Sequence, residues 1–185
     1  YDAFLANDRT LADPHVVRIE DGARVRLRII NAASSTNFTI DTGRVQASAI
    51  AVDGNPIVPV IGRQFPLAVA QRLDLLLSLP REMRVCPILA RQEGTAAQTG
   101  IILAKRGGYV RRLGVANRTI APAVNLAFEK RLAATESLPD RQVQRELDLP
   151  RLAARVEGDL ALAPAEDLDD LVAPLLLDRL EHLHR

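Results

Sequence analysis

Tryptophan is absent from this sequence, cysteine occurs once and histidine three times. A single thiol, Cys86, excludes an intrachain disulfide and any cysteine-rich metal site. The imidazoles are His15, His182 and His184, so chemistry that needs many histidines must borrow them from another chain or domain. Aromatic residues make up 3% of the chain, too few for the platforms on which single-stranded nucleic acid stacks. Lysine occurs only at Lys105 and Lys130 against 22 arginines, a bias that fits GC-rich coding better than a clustered phosphate-binding surface. No apolar run approaches the ~18 residues of a membrane span. There is also no basic segment followed by an apolar core, so no signal peptide is read. The chain opens Tyr1-Asp2-Ala3-Phe4 without an initiator Met, which reads as a fragment or a processed chain.

What is present describes a globular protein. Among 185 residues, 48% are hydrophobic and 25% charged, enough apolar surface to offset the entropy of ordering a chain. The length suits one ordinary domain with a tail, or two very small domains. A net charge of +1 gives no global attraction to nucleic acid or membrane. The charge is unevenly spread, however. Residues 1–112 carry 15 basic and 10 acidic side chains, and residues 113–185 carry 9 and 13.

The first part reads as short strands. In Arg24-Val25-Arg26-Leu27-Arg28-Ile29, apolar residues alternate with arginines at period two, placing Val25, Leu27 and Ile29 on one face of a sheet. Residues 15–20, 38–42, 47–52, 73–77, 85–90 and 99–104 are further strands, bounded by turn residues such as Asp21-Gly22 and Thr42-Gly43. Asp53-Gly54-Asn55-Pro56 is a strong turn, with Pro56 expected to end the ladder. Strands at this spacing without amphipathic helices between them favour an antiparallel sandwich over a parallel, helix-connected sheet. The expected core includes Val25, Leu27, Ile29, Ile50, Val52, Leu73 and Leu75.

The strand pattern dissolves near Arg106. Gly107-Gly108 and Pro122 mark a linker over residues 106–125, and 124–134 suits a helix. Residues 126–185 form an Ala-, Leu- and Arg-rich tail with helical periodicity. Pro164-Ala165-Glu166-Asp167 resembles a helix start, with its acids near the positive end of the dipole. Leu168, Leu171, Val172, Leu175 and Leu176 follow at helical spacing, with Pro174 expected to kink or split that helix.

Four stretches, in order, resemble the second cupredoxin domain of three-domain multicopper oxidases of the laccase-like and copper-resistance type. They are Tyr1 to Asn7, Gly22-Ala23-Arg24-Val25-Arg26-Leu27-Arg28-Ile29-Ile30-Asn31-Ala32, Ile50-Ala51-Val52-Asp53-Gly54, and Ala70-Gln71-Arg72-Leu73-Asp74-Leu75. The resemblance covers residues 1–105 and implies an all-β, cupredoxin-like antiparallel Greek-key β-sandwich, followed here by a largely helical or poorly ordered C-terminal tail. In such enzymes the first and third domains supply the copper ligands, and the second spaces them. The resemblance therefore implies a non-catalytic middle domain with the first and third cupredoxin domains as partners. Copper belongs to the parent, a copper-dependent oxidoreductase that couples oxidation of phenols or metal ions to reduction of O₂. It also implies a periplasmic or secreted location. The alternative is a piece of a copper-free envelope or cell-division protein of the same superfamily. A His-rich third domain is expected after residue 110. The helical tail in its place leaves three origins open: a native C-terminus, a shifted reading frame, or a fusion.

No catalytic, cofactor-binding or metal-binding residue is assigned, and this chain alone is expected to be inactive. Cys86 lies between Val85 and Pro87 with no histidine nearby and reads as buried packing. His15, beside Pro14, reads as an exposed loop residue. His182-Leu183-His184 has the spacing of a copper motif, but on a helix the two imidazoles diverge by about 200°. Arg72 and Asp74 share a strand face, where they either pair or each cap a loop. Arg24, Arg26 and Arg28 read as a solvated face or an interdomain contact. The leucine face of the tail is a candidate for self-association or for docking. No nucleic-acid partner and no membrane span are expected.

Overall fold

The computed structural model describes residues 3–136, which form two facing sheets. In chain order the strands are β1 (Val16–Ile19), β2 (Arg24–Ile30), β3 (Phe38–Asp41), β4 (Ala47–Val52), β5 (Asn55–Gly62), β6 (Gln64–Leu67), β7 (Arg72–Ser78), β8 (Val85–Gln92) and β9 (Gln98–Lys105). One sheet has the order β1-β9-β8-β3-β6 and the other β2-β7-β4-β5. The chain passes repeatedly between the sheets, as a Greek-key sandwich requires. All strand pairs are antiparallel except β1 and β9, which run parallel with Val16 opposite Ile102. The sandwich is thus antiparallel, as expected, with this one parallel pair at its edge. That pair joins the first and last strands of the domain, so no short crossover is needed.

Alternation places the core. Leu73, Leu75 and Leu77 of β7 are buried against Ala47, Ala49 and Val52 of β4, and across the gap lie Ile40, Phe65, Cys86, Ile88 and Leu103. Each fully buried aliphatic side chain contributes about 1.5–3 kcal/mol. Val52, Leu73 and Leu75 are in the expected core, whereas Val25, Leu27 and Ile29 face it only half-buried. Ile50 is a correction. The register of β4 shifts between Ala49 and Ala51 against β7, so Ile50 is the extra residue of a bulge, and the core face of β4 is made by Ala47, Ala49 and Val52.

Two strands, β5 and β6, were not expected, because prolines concealed them. Asp53-Gly54 does form a turn, but Pro56 lies inside β5, opposite Ala51, and does not end the ladder. Pro56 and Pro59 sit on an edge strand, and Pro66 on another. A missing N–H is tolerated where no neighbour asks for it.

The stretch expected as a linker, residues 106–125, lies partly against the sandwich. Asn117 N–H donates to Ala96 O at 2.7 Å, and Ala121, 1% exposed, exchanges backbone bonds with Gly94 and Thr95. Further on, Val58 N–H donates to Ala133 O at 2.8 Å, and Ile57 bridges Ala134, so this strap covers the outer edge of β5. The helix expected over residues 124–134 is reduced to a 3₁₀ turn, Glu129–Arg131. Phe128 is anchored there edge-on against Phe65, with ring centroids 6.0 Å apart, and burying that one ring does not require a longer helix. The expected helices of the tail beyond Ser137, with His182 and His184, lie outside the described residues.

Candidate functional site

Three of the four family-like stretches meet at one end of the second sheet. β2 and β4 end there and the antiparallel β7 begins there, so Asn31, Asp53 and Arg72 become neighbours. Asn31 is 4% exposed; its Nδ2 donates to Thr36 O at 2.8 Å and to Leu67 O at 3.2 Å, and its Oδ1 accepts from Ala33 N–H. Asp53 Oδ1 accepts from Arg72 N–H at 2.8 Å, while Arg72 Nη2 donates to Asp53 O at 3.1 Å. Both Asp53 and Ala70 hold positive φ (49° and 63°), a conformation such turns need and side-chain-bearing residues adopt at a cost. The chemistry here is that of a knot. These polar groups satisfy one another and the backbone of the loops that follow β2, β4 and β6, which fixes that end of the sandwich.

Arg72 therefore caps a loop, and Asp74 pairs elsewhere. On the outward face of β7, Asp74 lies between Arg26 and Arg28 of β2. Arg26 Nε donates to Asp74 Oδ2 at 3.0 Å, with Arg26 Nη2 on the same oxygen, and Arg28 Nε donates to Asp74 Oδ1 at 3.3 Å. The carboxylate is 8% exposed and its partners 53% and 66%, so it is covered chiefly by the arginines themselves. Burial pushes the carboxyl pKa up, but the hydrogen bonds and positive charges of Arg26 and Arg28 outweigh it and hold the pKa below 3.8. A lowered folded-state pKa stabilises the fold above the unfolded value, and that contribution is lost as pH falls through the folded one. Asp74→Asn is therefore expected to destabilise by about 1–2 kcal/mol at pH 7, discounted for the exposed arginines, and to flatten the stability profile below pH ~4. Urea unfolding at pH 7 and pH 3 checks this; an unchanged acid slope would contradict the pairing.

The donor set does not fit copper. A blue-copper site needs a thiolate and two imidazoles on one metal. The described residues supply one thiol and one imidazole. The Cys86 thiol is buried, with Thr42 O and Pro87 O each 3.7 Å away. Burial, with a smaller push from the Asp41 charge, raises its pKa to about 11, so the thiol stays protonated at neutral pH. His15 is exposed, and its Nδ1 accepts from Asn7 Nδ2 at 2.8 Å. Among the described residues no three His, Cys, Asp or Glu side chains group as a metal site. Cys86 is expected to resist iodoacetamide at pH 8 in the folded chain and to react stoichiometrically in 6 M guanidinium. Rapid native labelling would show that the thiol is neither buried nor protonated.

Several buried polar residues escaped the sequence reading. Lys105, 1% exposed at the end of β9, donates from Nζ to Pro80 O at 2.7 Å and pairs with Asp21 at 3.2 Å, tying two loops together. Its only sequence signal is a lysine ending an apolar strand in a chain that otherwise uses arginine. Arg91 pairs with Asp41 at 3.7 Å and donates to Thr119 O at 2.7 Å, holding the strap. Thr99 is 3% exposed, and its hydroxyl has no hydrogen-bond partner.

The family model described as multicopper oxidase matches residues 2–105. A multicopper oxidase of Mycobacterium tuberculosis is 28% identical over 108 residues, 58% of this chain and 21% of the relative. The chain thus spans about a fifth of that relative's length. Among solved structures, Fet3p, a multicopper oxidase that functions in iron import, superimposes with a TM-score of 0.57 at 12% identity, over 77% of this chain and 27% of that one. The blue copper oxidase of Nitrosomonas europaea superimposes with a TM-score of 0.51 at 16% identity, over 73% of this chain and 46% of that one. At those identities the two structures speak for the fold alone.

Proposed function

The chain belongs to the multicopper oxidase family, and from that premise we propose that residues 1–105 are a second, non-catalytic cupredoxin domain that spaces copper-bearing first and third domains. The observation that carries this reading is the use to which the family-like residues are put. Asn31, Asp53, Arg72 and Asp74 are all engaged in hydrogen bonds that fix loops and strands of the sandwich. A spacer acts through rigidity, since a displacement of about 1 Å at a boundary shared by reacting groups can cost ~10²-fold in rate. Copper would then belong to the neighbouring domains, and the parent would couple oxidation of phenols or metal ions to O₂ reduction. Export to the periplasm or medium goes with that family; no described helix is long and apolar enough to cross a membrane.

Sequencing the encoding DNA on both sides of residues 1–105, in all frames, tests the assignment. His-x-His pairs upstream and a His-rich sandwich downstream are expected. Flanking cupredoxin domains without those histidines would overturn it in favour of a copper-free structural branch.

A further inference from the structure

The two sheets do not close fully at one end. A cavity of about 650 Å³ lies between the inner face of β2 and the facing strands β3, β8 and β9, with Ala3–Asp8 along its border. Its volume falls in the range of about 300–1,000 Å³ in which pockets hold small molecules. The space has a local cause. Ala90, a small residue, lines it where a larger side chain would fill it, and Leu27 and Ile29 opposite are only half-buried. Ile88 and Ile101 complete an apolar wall. Leu5 and Ile30, 57% and 59% exposed, line the same space and form part of its rim.

One wall residue is out of keeping with the rest. Thr99 shares its strand face with Ile101 and Leu103, so its side chain points between the sheets. Its Oγ1 is buried and makes no hydrogen bond. An unpaired buried hydroxyl destabilises a fold and usually has a partner. Charge does not select the guest, because the Arg28 guanidinium is committed to Asp74 and Asp8, the carboxylate of the lining, is exposed to solvent at the border. We propose that this cavity is a binding site for a neutral, mostly apolar molecule with one hydroxyl or carbonyl oxygen, which the Thr99 hydroxyl hydrogen-bonds. Apolar cavities of this kind take up apolar guests in preference to water. The site is independent of copper and of the spacer role.

The test uses 2-naphthol and naphthalene as probes on the full 185-residue chain, followed by amide NMR shifts and probe fluorescence. Wild-type protein is expected to bind 2-naphthol saturably, with a Kd on the order of 100 µM for so small a ligand. The largest shifts should fall at residues 88–90 and 99–101. Thr99→Val keeps the shape of the side chain and removes its hydroxyl. It should weaken 2-naphthol about 5–20-fold while leaving naphthalene unchanged, the effect of one lost hydrogen bond. Ala90→Leu, which fills the space, should abolish binding of both. Non-saturable binding, shifts that map elsewhere, or a Thr99→Val chain that binds both probes like wild type would each overturn the proposal. Because the wild-type shift map needs no variant, the test survives a substitution that misfolds.

Discussion

Gly100→Ala is expected to destabilise the sandwich by more than about 3 kcal/mol, a large share of the roughly 5–15 kcal/mol that holds such a domain together. Gly100 sits opposite Leu89 in the β8–β9 pair at φ 154°. A Cβ there would stand 2.1 Å from Ile88 O and 3.0 Å from Leu89 Cα. Both are backbone atoms of a strand held on its two sides by β9 and β3, so neither can rotate aside. The strands must separate or the pair must break, which disrupts the longest ladder of its sheet. Gly43→Ala is the control. Gly43 also has positive φ, 63°, but a Cβ there meets nothing within 4 Å, so only about 1–2 kcal/mol of backbone strain is expected. Urea midpoints of the two variants decide the matter. Equal midpoints would mean that β8 and β9 are not this closely apposed.

Phe65→Ala is expected to cost about 3–5 kcal/mol, the usual range for removing a fully buried aromatic ring. Phe65 is 1% exposed on the inner face of β6, and its ring meets Phe128 nearly perpendicularly, at 84°. The loss therefore reaches two parts of the molecule, the core itself and the strap that covers the edge of β5. Phe128→Ala should cost less, because Phe128 lies at the border of the core at 7% exposure. A coupling of about 0.5–1.5 kcal/mol between the two substitutions is expected for such a ring pair. In Phe128→Ala, hydrogen exchange should speed up at the Val58 amide, whose acceptor is Ala133 O. Protection unchanged there would show that the strap is held by its backbone bonds alone.

Seven of the nine strands among the described residues were legible because their side chains carry the pleat in plain form, as in the alternation of arginine with Val25, Leu27 and Ile29. The two that were missed, β5 and β6, carry Pro56, Pro59 and Pro66, which local rules read as breaks. Only the sheet order reveals that they are edges, where proline is admitted. Ile50 was misplaced for a related reason: a bulge changes the parity of a strand, and nothing in Ala49-Ile50-Ala51 announces it. Among the polar residues, the strand face of Asp74 could be read from its spacing, but its partners could not. Arg26 and Arg28 lie 48 and 46 residues away and meet it only once β2 is placed beside β7. The parallel pairing of β1 with β9 and the contacts of the strap also join distant segments, which no local pattern encodes.

The central proposal is that residues 1–105 space copper sites without forming one. The most direct test is to load the purified chain with excess Cu(II), remove loosely bound metal by gel filtration, and assay oxidation of a laccase dye under air while recording the visible spectrum. The account predicts no retained stoichiometric copper, no intense blue absorption and no dye turnover, since the Cys86 thiol is buried and protonated and His15 is exposed in the loop before β1, bonded to Asn7. Dye turnover that rises with retained copper and disappears on chelation would contradict it.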